Sequence, residues 1–320
     1  MLPIIAVTIG FVLLLVSADR FVEGAAASAR HLGVSPLLIG VIIVGFGTSA
    51  PEMVVSALAA LDGNPALALG NALGSNIVNT GLILGTTALV APISVSSGIV
   101  RRELPLLLLI GAISGLLLID SSLSRPDGLL LLAGFFGLVG WTLASALRSS
   151  GDALGPEIEL ELVAHAMSLR RACVWLAFGL ALMLLSSRLL VWGAVEIAIR
   201  LGISDLVVGL TIVALGTSLP ELAASVIAAR KNEPDIALGN IVGSNMFNLL
   251  AVVGIATVIE PSPLLASEVL YRDWPTMMLM MGAMFVMAYG FRGPGRINRL
   301  EGGVLLASYF AYNTLLVMTA

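Results

Sequence analysis

Ten stretches of mostly apolar residues follow one another along the chain, at about 2–28, 36–61, 65–90, 104–120, 127–147, 171–200, 204–229, 235–259, 274–291 and 300–319. Each is close to or above the ~20 residues that a helix needs to cross a bilayer. In lipid every backbone N–H and C=O must find a partner inside the protein, which leaves only helices and closed barrels as spanning structures. The stretches are long and continuous rather than alternating, so they read as helices and not as barrel strands. Charged residues make up 11% of the chain and hydrophobic residues 58%, where a soluble domain carries about 25% charged. The expected fold class is an all-α integral membrane protein. The first stretch has no basic n-region and no clear processing site, so it reads as a retained helix.

The same composition excludes several functions. A single cysteine, Cys173, allows neither an internal disulfide nor a thiolate metal cluster. His31 and His165 lie near expected helix ends or in a loop and read as surface residues. No basic run suggests nucleic acid, so the expected large partner is the lipid bilayer.

Residues 33–85 align without a gap onto 202–254, with 24 identities in 53 positions. The matches include Gly47/Gly216, Thr48/Thr217, Ser49/Ser218, Pro51/Pro220, Glu52/Glu221, Asn71/Asn240, Ser75/Ser244, Asn76/Asn245 and Asn79/Asn248. "RELP" at 102–105 echoes in "RDWP" at 272–275. The chain therefore reads as two five-helix halves, 1–147 and 170–320, joined by a linker at 148–169. Five is odd, so the halves enter the membrane from opposite sides. Ten transmembrane helices as two inverted repeats is an architecture of many secondary transporters. Twelve basic residues fall on the linker side and four on the other. The positive-inside rule then puts the linker in the cytoplasm and both termini outside. The linker is too short for a folded domain and reads as a simple connector.

"GTSAPE", Gly47–Glu52, and "GTSLPE", Gly216–Glu221, place a carboxylate mid-way along apolar segments. An ionised side chain there costs about 2.5–3.5 kcal/mol on insertion scales. Nothing basic lies near either glutamate in sequence. Either the carboxyls are protonated or a mobile cation pairs with them. Pro51 and Pro220 lack the N–H that the carbonyls of Gly47 and Gly216 need. A kink is expected there, with carbonyls near Gly45–Gly47 and Ala214–Gly216 free to face a ligand. Carbonyls, hydroxyls and carboxylates form an all-oxygen shell, which suits hard cations such as calcium. The soft-metal ligands Cys and His are missing. "GNALGSNIVN", Gly70–Asn79, and "GNIVGSNMFN", Gly239–Asn248, each stack an Asn-Ser-Asn trio at four-residue spacing on one helix face. Ser56 and Ser225 read as interhelical packing residues. Glu23 and Glu196, nearer helix ends, read as solvated or structural, and the methionines of 277–287 as core or lipid-facing filler.

These doubled motifs resemble the alpha repeats of the calcium/cation antiporter superfamily, and in particular its prokaryotic sodium/calcium exchanger family. The resemblance covers both repeats and, in helix count, the whole chain. It implies a secondary antiporter, not an enzyme, that exchanges sodium for calcium by alternating access at a midplane site among the second, third, seventh and eighth helices. Glu52 and Glu221 match the ligands that both ions share. Thr48 and Thr217 match carbonyl ligands of calcium, and Gly45 and Ala214 match further carbonyls. Ser49, Ser218, Ser75 and Ser244 match sodium ligands. Asn79 and Asn248 sit where members carry Asn or Asp, and Asn in place of Asp at 248 disfavours potassium co-transport. The glutamate that follows "GN" in the proton-coupled members is replaced here by Ala-Leu-Gly, residues 72–74. The resemblance further implies no cofactor, calcium and sodium as transported ions, an inner-membrane location, a functional monomer and a long mobile pair in the first and sixth helices. A proton/calcium antiporter and, more remotely, a cation channel are the alternatives.

Overall fold

The computed structural model describes residues 2–149, 167–201, 214–290 and 295–319. Among the described residues the protein is all-α apart from a two-residue ladder, Ile93–Ser94 (β1) against Arg296–Ile297 (β2), and an isolated bridge between Leu123 and Ser262. Residues 150–166 of the expected linker and 204–213 of the seventh apolar stretch, like His165, lie outside the described residues. Among the described residues, five helices are long and apolar enough to cross a membrane, or six if one bent pair counts as a span.

The chain forms two compact units, and each draws on both halves of the sequence. One comprises Met1–Thr48 with Gly137–Asn240, the other Ser49–Phe136 with Ile241–Ala320.

In the first unit α1 (Leu2–Leu32) runs antiparallel to α7 (Leu169–Arg200). Lipid supplies no hydrophobic force between helices, so close packing through small residues has to hold them. Glycines make that packing possible. Gly10 faces the backbone of Leu190 and Gly24 that of Leu176 and Ala172; Gly179 faces Phe21, and Gly193 faces Pro3 and Val7. The four glycines are two pairs at the repeat offset of 169 residues, so the repeat extends beyond the aligned window. Leu14, Phe21, Val22, Met183 and Ile227 fill the adjoining core. Ion pairs tie α1 to the loop that begins at Lys231: Asp19 with Lys231 at 2.9 Å and Arg30 with Glu233 at 3.3 Å.

The second stretch is broken. α2 (Pro36–Thr48) is capped by the Ser35 side chain, which accepts from Leu38 N–H, and includes a π-helical turn at Gly40–Val44. The helix stops at Ser49 and resumes as α3 (Ala50–Leu61), bent by 41°. Its repeat counterpart stops at Ser218, between α8 (Ala214–Thr217) and α9 (Leu219–Arg230). The expected kink is thus a full break, with Pro51 and Pro220 in the first turn of the resumed helices. Proline is favoured there because its missing N–H is one that no helix end can satisfy.

In the second unit α4 (Pro65–Val90) carries a π-helical turn at Val78–Ile83, and α10 (Pro234–Ile259) carries one at Asn248–Val252. α5 (Leu104–Leu118) and α11 (Trp274–Ala288) are each preceded by another, at Ile99–Glu103 and Val269–Asp273. The "RELP" and "RDWP" segments therefore share their local structure. α6 (Arg125–Ser149) and α12 (Arg299–Thr319) are the remaining helices among the described residues. Gly85 of α4 meets the backbone of Gly302 in α12, and Trp274 Nε1 donates to the Gly111 carbonyl at 3.0 Å.

Candidate functional site

Both glutamates are buried, at 1% exposure each. Glu52 lies in the first turn of α3 and Glu221 in the first turn of α9. The break that precedes each helix creates that position. Unsatisfied N–H groups at a helix N-terminus carry partial positive charge and favour a carboxylate.

The first unit gathers Gly45, Thr48, Ala214, Thr217, Ser218 and Glu221 from the expected site. Thr48 Oγ1 donates to Asn240 Oδ1 at 3.0 Å and lies 3.4 Å from the Gly45 carbonyl. Asn240 Nδ2 donates to Ser225 Oγ at 2.9 Å and to the Glu221 carbonyl at 3.2 Å. The polar stripe here holds the glutamate-bearing helix by its backbone. One expected free carbonyl is engaged: Ser187 Oγ donates to Gly216 O at 2.9 Å. That serine replaces the N–H that Pro220 cannot supply. At the matching position of α1 the chain has Ala18.

The second unit gathers Ser49, Glu52, Ser75, Asn79, Ser244 and Asn248, all buried. Asn71 Nδ2 donates to the Glu52 carbonyl at 3.3 Å and to Ser56 Oγ at 2.9 Å, repeating the arrangement of Asn240. Ser56 and Ser225 are thus interhelical acceptors, as expected. Between α4 and α10 four asparagines interlock. Asn79 Nδ2 donates to Asn245 Oδ1 at 3.0 Å, and Asn248 Nδ2 to Asn76 Oδ1 at 3.1 Å. Asn79 Oδ1, Asn248 Oδ1 and Ser49 Oγ are buried without a hydrogen-bond partner. Buried oxygens in that condition are costly unless something else meets them. Among the described residues no group of three or more His, Cys, Asp and Glu could hold a metal. The donor set is one of amides, hydroxyls, carbonyls and one glutamate per repeat.

The sodium/calcium exchanger protein family model matches residues 2–144 and 171–318. The chain belongs to the sodium/calcium exchanger family. It is 49% identical over 313 residues to the putative antiporter CaxA of Alkalimonas amylolytica, covering 98% of each chain. It is 42% identical to the inner membrane protein YrbG of Escherichia coli strain K12, covering 96% of this chain and 94% of that one. A solved structure of the sodium-calcium exchanger NCX_Mj superposes with a TM-score of 0.84 at 32% identity over 98% of both chains. The protein is accordingly a multi-pass cation antiporter with a transporter fold, and not an enzyme.

Two further acidic residues of this exchanger, Glu23 and Glu196, form ion pairs. Glu23 pairs with Arg20 at 2.9 Å within α1, and Glu196 with Arg200 at 3.4 Å at the end of α7. His31 is exposed and its Nε2 lies 2.6 Å from Met167 O. Met277, Met280, Met281 and Met284 are buried core. Sequence reasoning missed Ser187 and Thr80. Ser187 has no counterpart in the other half, and Thr80 is matched by Leu249, so the repeat gave no signal for either.

Proposed function

We propose that this antiporter exchanges sodium for calcium by alternating access, with Glu52 and Glu221 as the carboxylates that both ions use in turn. The observation that carries the reading is the pair of glutamates at matched repeat positions, each buried in the first turn of a helix resumed after a break. Two ionised carboxylates are neutralised by one calcium ion or by sodium ions on the same oxygens. Mutual exclusion at shared ligands then couples the two fluxes. Thr48, Thr217, Gly45 and Ala214 add carbonyls; Ser49, Ser218, Ser75 and Ser244 add hydroxyls or carbonyls; Asn79 and Asn248 add amide oxygens. The chain crosses the membrane ten times, as inverted halves 1–147 and 170–320. Both termini face outward, and the 148–169 linker is cytoplasmic, on the side with twelve of sixteen basic residues. The inner-membrane relative supports the same membrane for this protein. The exchanger works as a monomer and needs no cofactor.

The test is calcium-45 uptake into sodium-loaded proteoliposomes diluted into sodium-free buffer, with Glu52→Gln and Glu221→Gln alongside. Uptake that requires internal sodium and vanishes in both variants is expected. Uptake driven only by a proton gradient refutes sodium coupling, and flux indifferent to any counter-ion refutes exchange.

A further inference from the structure

The buried asparagines of α4 and α10 do two different jobs. Asn79 and Asn248 each have a side-chain oxygen with no hydrogen-bond partner, while their nitrogens are tied down. Asn76 and Asn245 are also buried, but both of their polar ends are engaged within the protein. Asn76 Nδ2 donates to the backbone carbonyl of Asn245 at 3.3 Å and approaches Met277 Sδ at 3.5 Å. A backbone carbonyl can only accept, so this contact fixes which end of the Asn76 amide is oxygen. That oxygen then takes the Asn248 nitrogen. Asn245 Nδ2 donates to Thr80 Oγ1 at 3.0 Å, and its own oxygen accepts from the Asn79 nitrogen.

We infer that Asn76, Asn245 and Thr80 are positioning residues, which hold the amides of Asn79 and Asn248 with nitrogen inward and oxygen presented to the transported cation. The inference rests on the proposed exchange reading and names what orients two of its neutral ligands. An amide turned over would offer N–H donors to the cation in place of an oxygen. The control is crossed: each repeat's ligand amide is set by an asparagine of the other repeat. The two outer amides therefore share one hydrogen-bonded unit: Asn248 cannot turn over without breaking it, and Asn79 turns over only if Asn245 and the Thr80 hydroxyl turn with it. Thr80 is the asymmetric end of that unit. Replacing its hydroxyl with a methyl removes the acceptor for Asn245 Nδ2. Asn245 can then flip, donate to Asn79 Oδ1 and turn the Asn79 nitrogen outward.

The test measures half-saturating calcium and sodium, and the maximal rate, for wild type, Asn76→Leu, Asn245→Leu, Thr80→Val and Thr80→Ser in sodium-loaded proteoliposomes. Groups that orient a metal's ligands typically change affinity or activity by about 10–100-fold when removed. The two leucine variants should raise half-saturating calcium by roughly tenfold or more, with a much smaller change in maximal rate. Thr80→Val should shift it in the same direction, and Thr80→Ser should restore it. If the leucine variants do not fold, the Thr80 pair decides alone. Unchanged half-saturation with losses confined to yield and maximal rate overturns the assignment and leaves exchange standing. Absence of sodium-dependent calcium uptake in the wild type overturns exchange and the assignment together.

Discussion

The antiparallel α1–α7 contact yields a prediction whose size follows from its geometry. A Cβ placed on Gly24 lies 2.7 Å from Leu176 N, 2.8 Å from Ala172 O and 3.1 Å from Trp175 C. All three are backbone atoms, so no rotamer change relieves the clash. For Gly24→Ala the α7 backbone must retreat by roughly half an ångström or more to reach ordinary contact, and overpacking of this kind costs about 1–3 kcal/mol. Alanine returns up to about 1 kcal/mol through its better helix propensity. The net expectation is a loss of about 1–2 kcal/mol. Gly140 is the internal control, because a Cβ there meets nothing within 4 Å. Gly140→Ala should keep only the propensity gain and stabilise by up to about 1 kcal/mol. Thermal unfolding of the detergent-solubilised protein, followed by intrinsic fluorescence, separates the two. The order expected is Gly24→Ala below wild type and Gly140→Ala at or above it. If Gly24→Ala melts as high as Gly140→Ala, the helices do not meet through these glycines and the packing argument is wrong.

Three further outcomes are expected. Ser187→Ala deprives the Gly216 carbonyl of its donor and should lower stability by about 1–3 kcal/mol, the range for a buried group left unsatisfied; Ser187→Thr, which keeps the hydroxyl, should fall less in the same melting assay. Ser225→Ala removes an acceptor of Asn240 and should lower the melting temperature while half-saturating calcium stays near wild type in the uptake assay. Burial pushes the Glu233 carboxyl above its ordinary range, and the opposing pull of Arg30 is smaller. A carboxyl raised in the folded state contributes stability below its unfolded pKa that is lost as pH rises through the folded value. Glu233→Gln should therefore melt no lower than wild type at neutral pH and flatten the melting profile above about pH 4.

Much of the fold class was legible because lipid leaves a chain so few choices: unbroken apolar stretches gave the helices, and the doubled "GTSxPE" gave the family. The glutamates were legible for the same reason, since a carboxylate inside an apolar stretch demands an explanation. What the sequence left open was who meets whom. Pro51 and Pro220 announced disturbed helices, yet only the folded chain shows full breaks at Ser49 and Ser218 that place each glutamate in a first turn. The carbonyl of Gly216 looked available until Ser187, 29 residues earlier, was found bonded to it. Gly10, Gly24, Gly179 and Gly193 lie outside the stretch where the halves align most closely, and glycine is common enough in such a chain that sequence alone gives these matches no role. Their meaning comes from the helix that each one faces.

Those four glycines have a mechanical consequence. A helix seated in notches cut into its neighbour, while cutting notches into its own, has no independent travel along the shared axis; shifting one alone would drive backbone against backbone at four levels. α1 and α7 then have one translational coordinate instead of two. If this pair is the mobile element of the proposed alternating access, opening at one face and closing at the other become a single displacement. The state with both faces open, through which a gradient would drain, needs the helices to part company, and the glycine notches are what such a leak would have to undo.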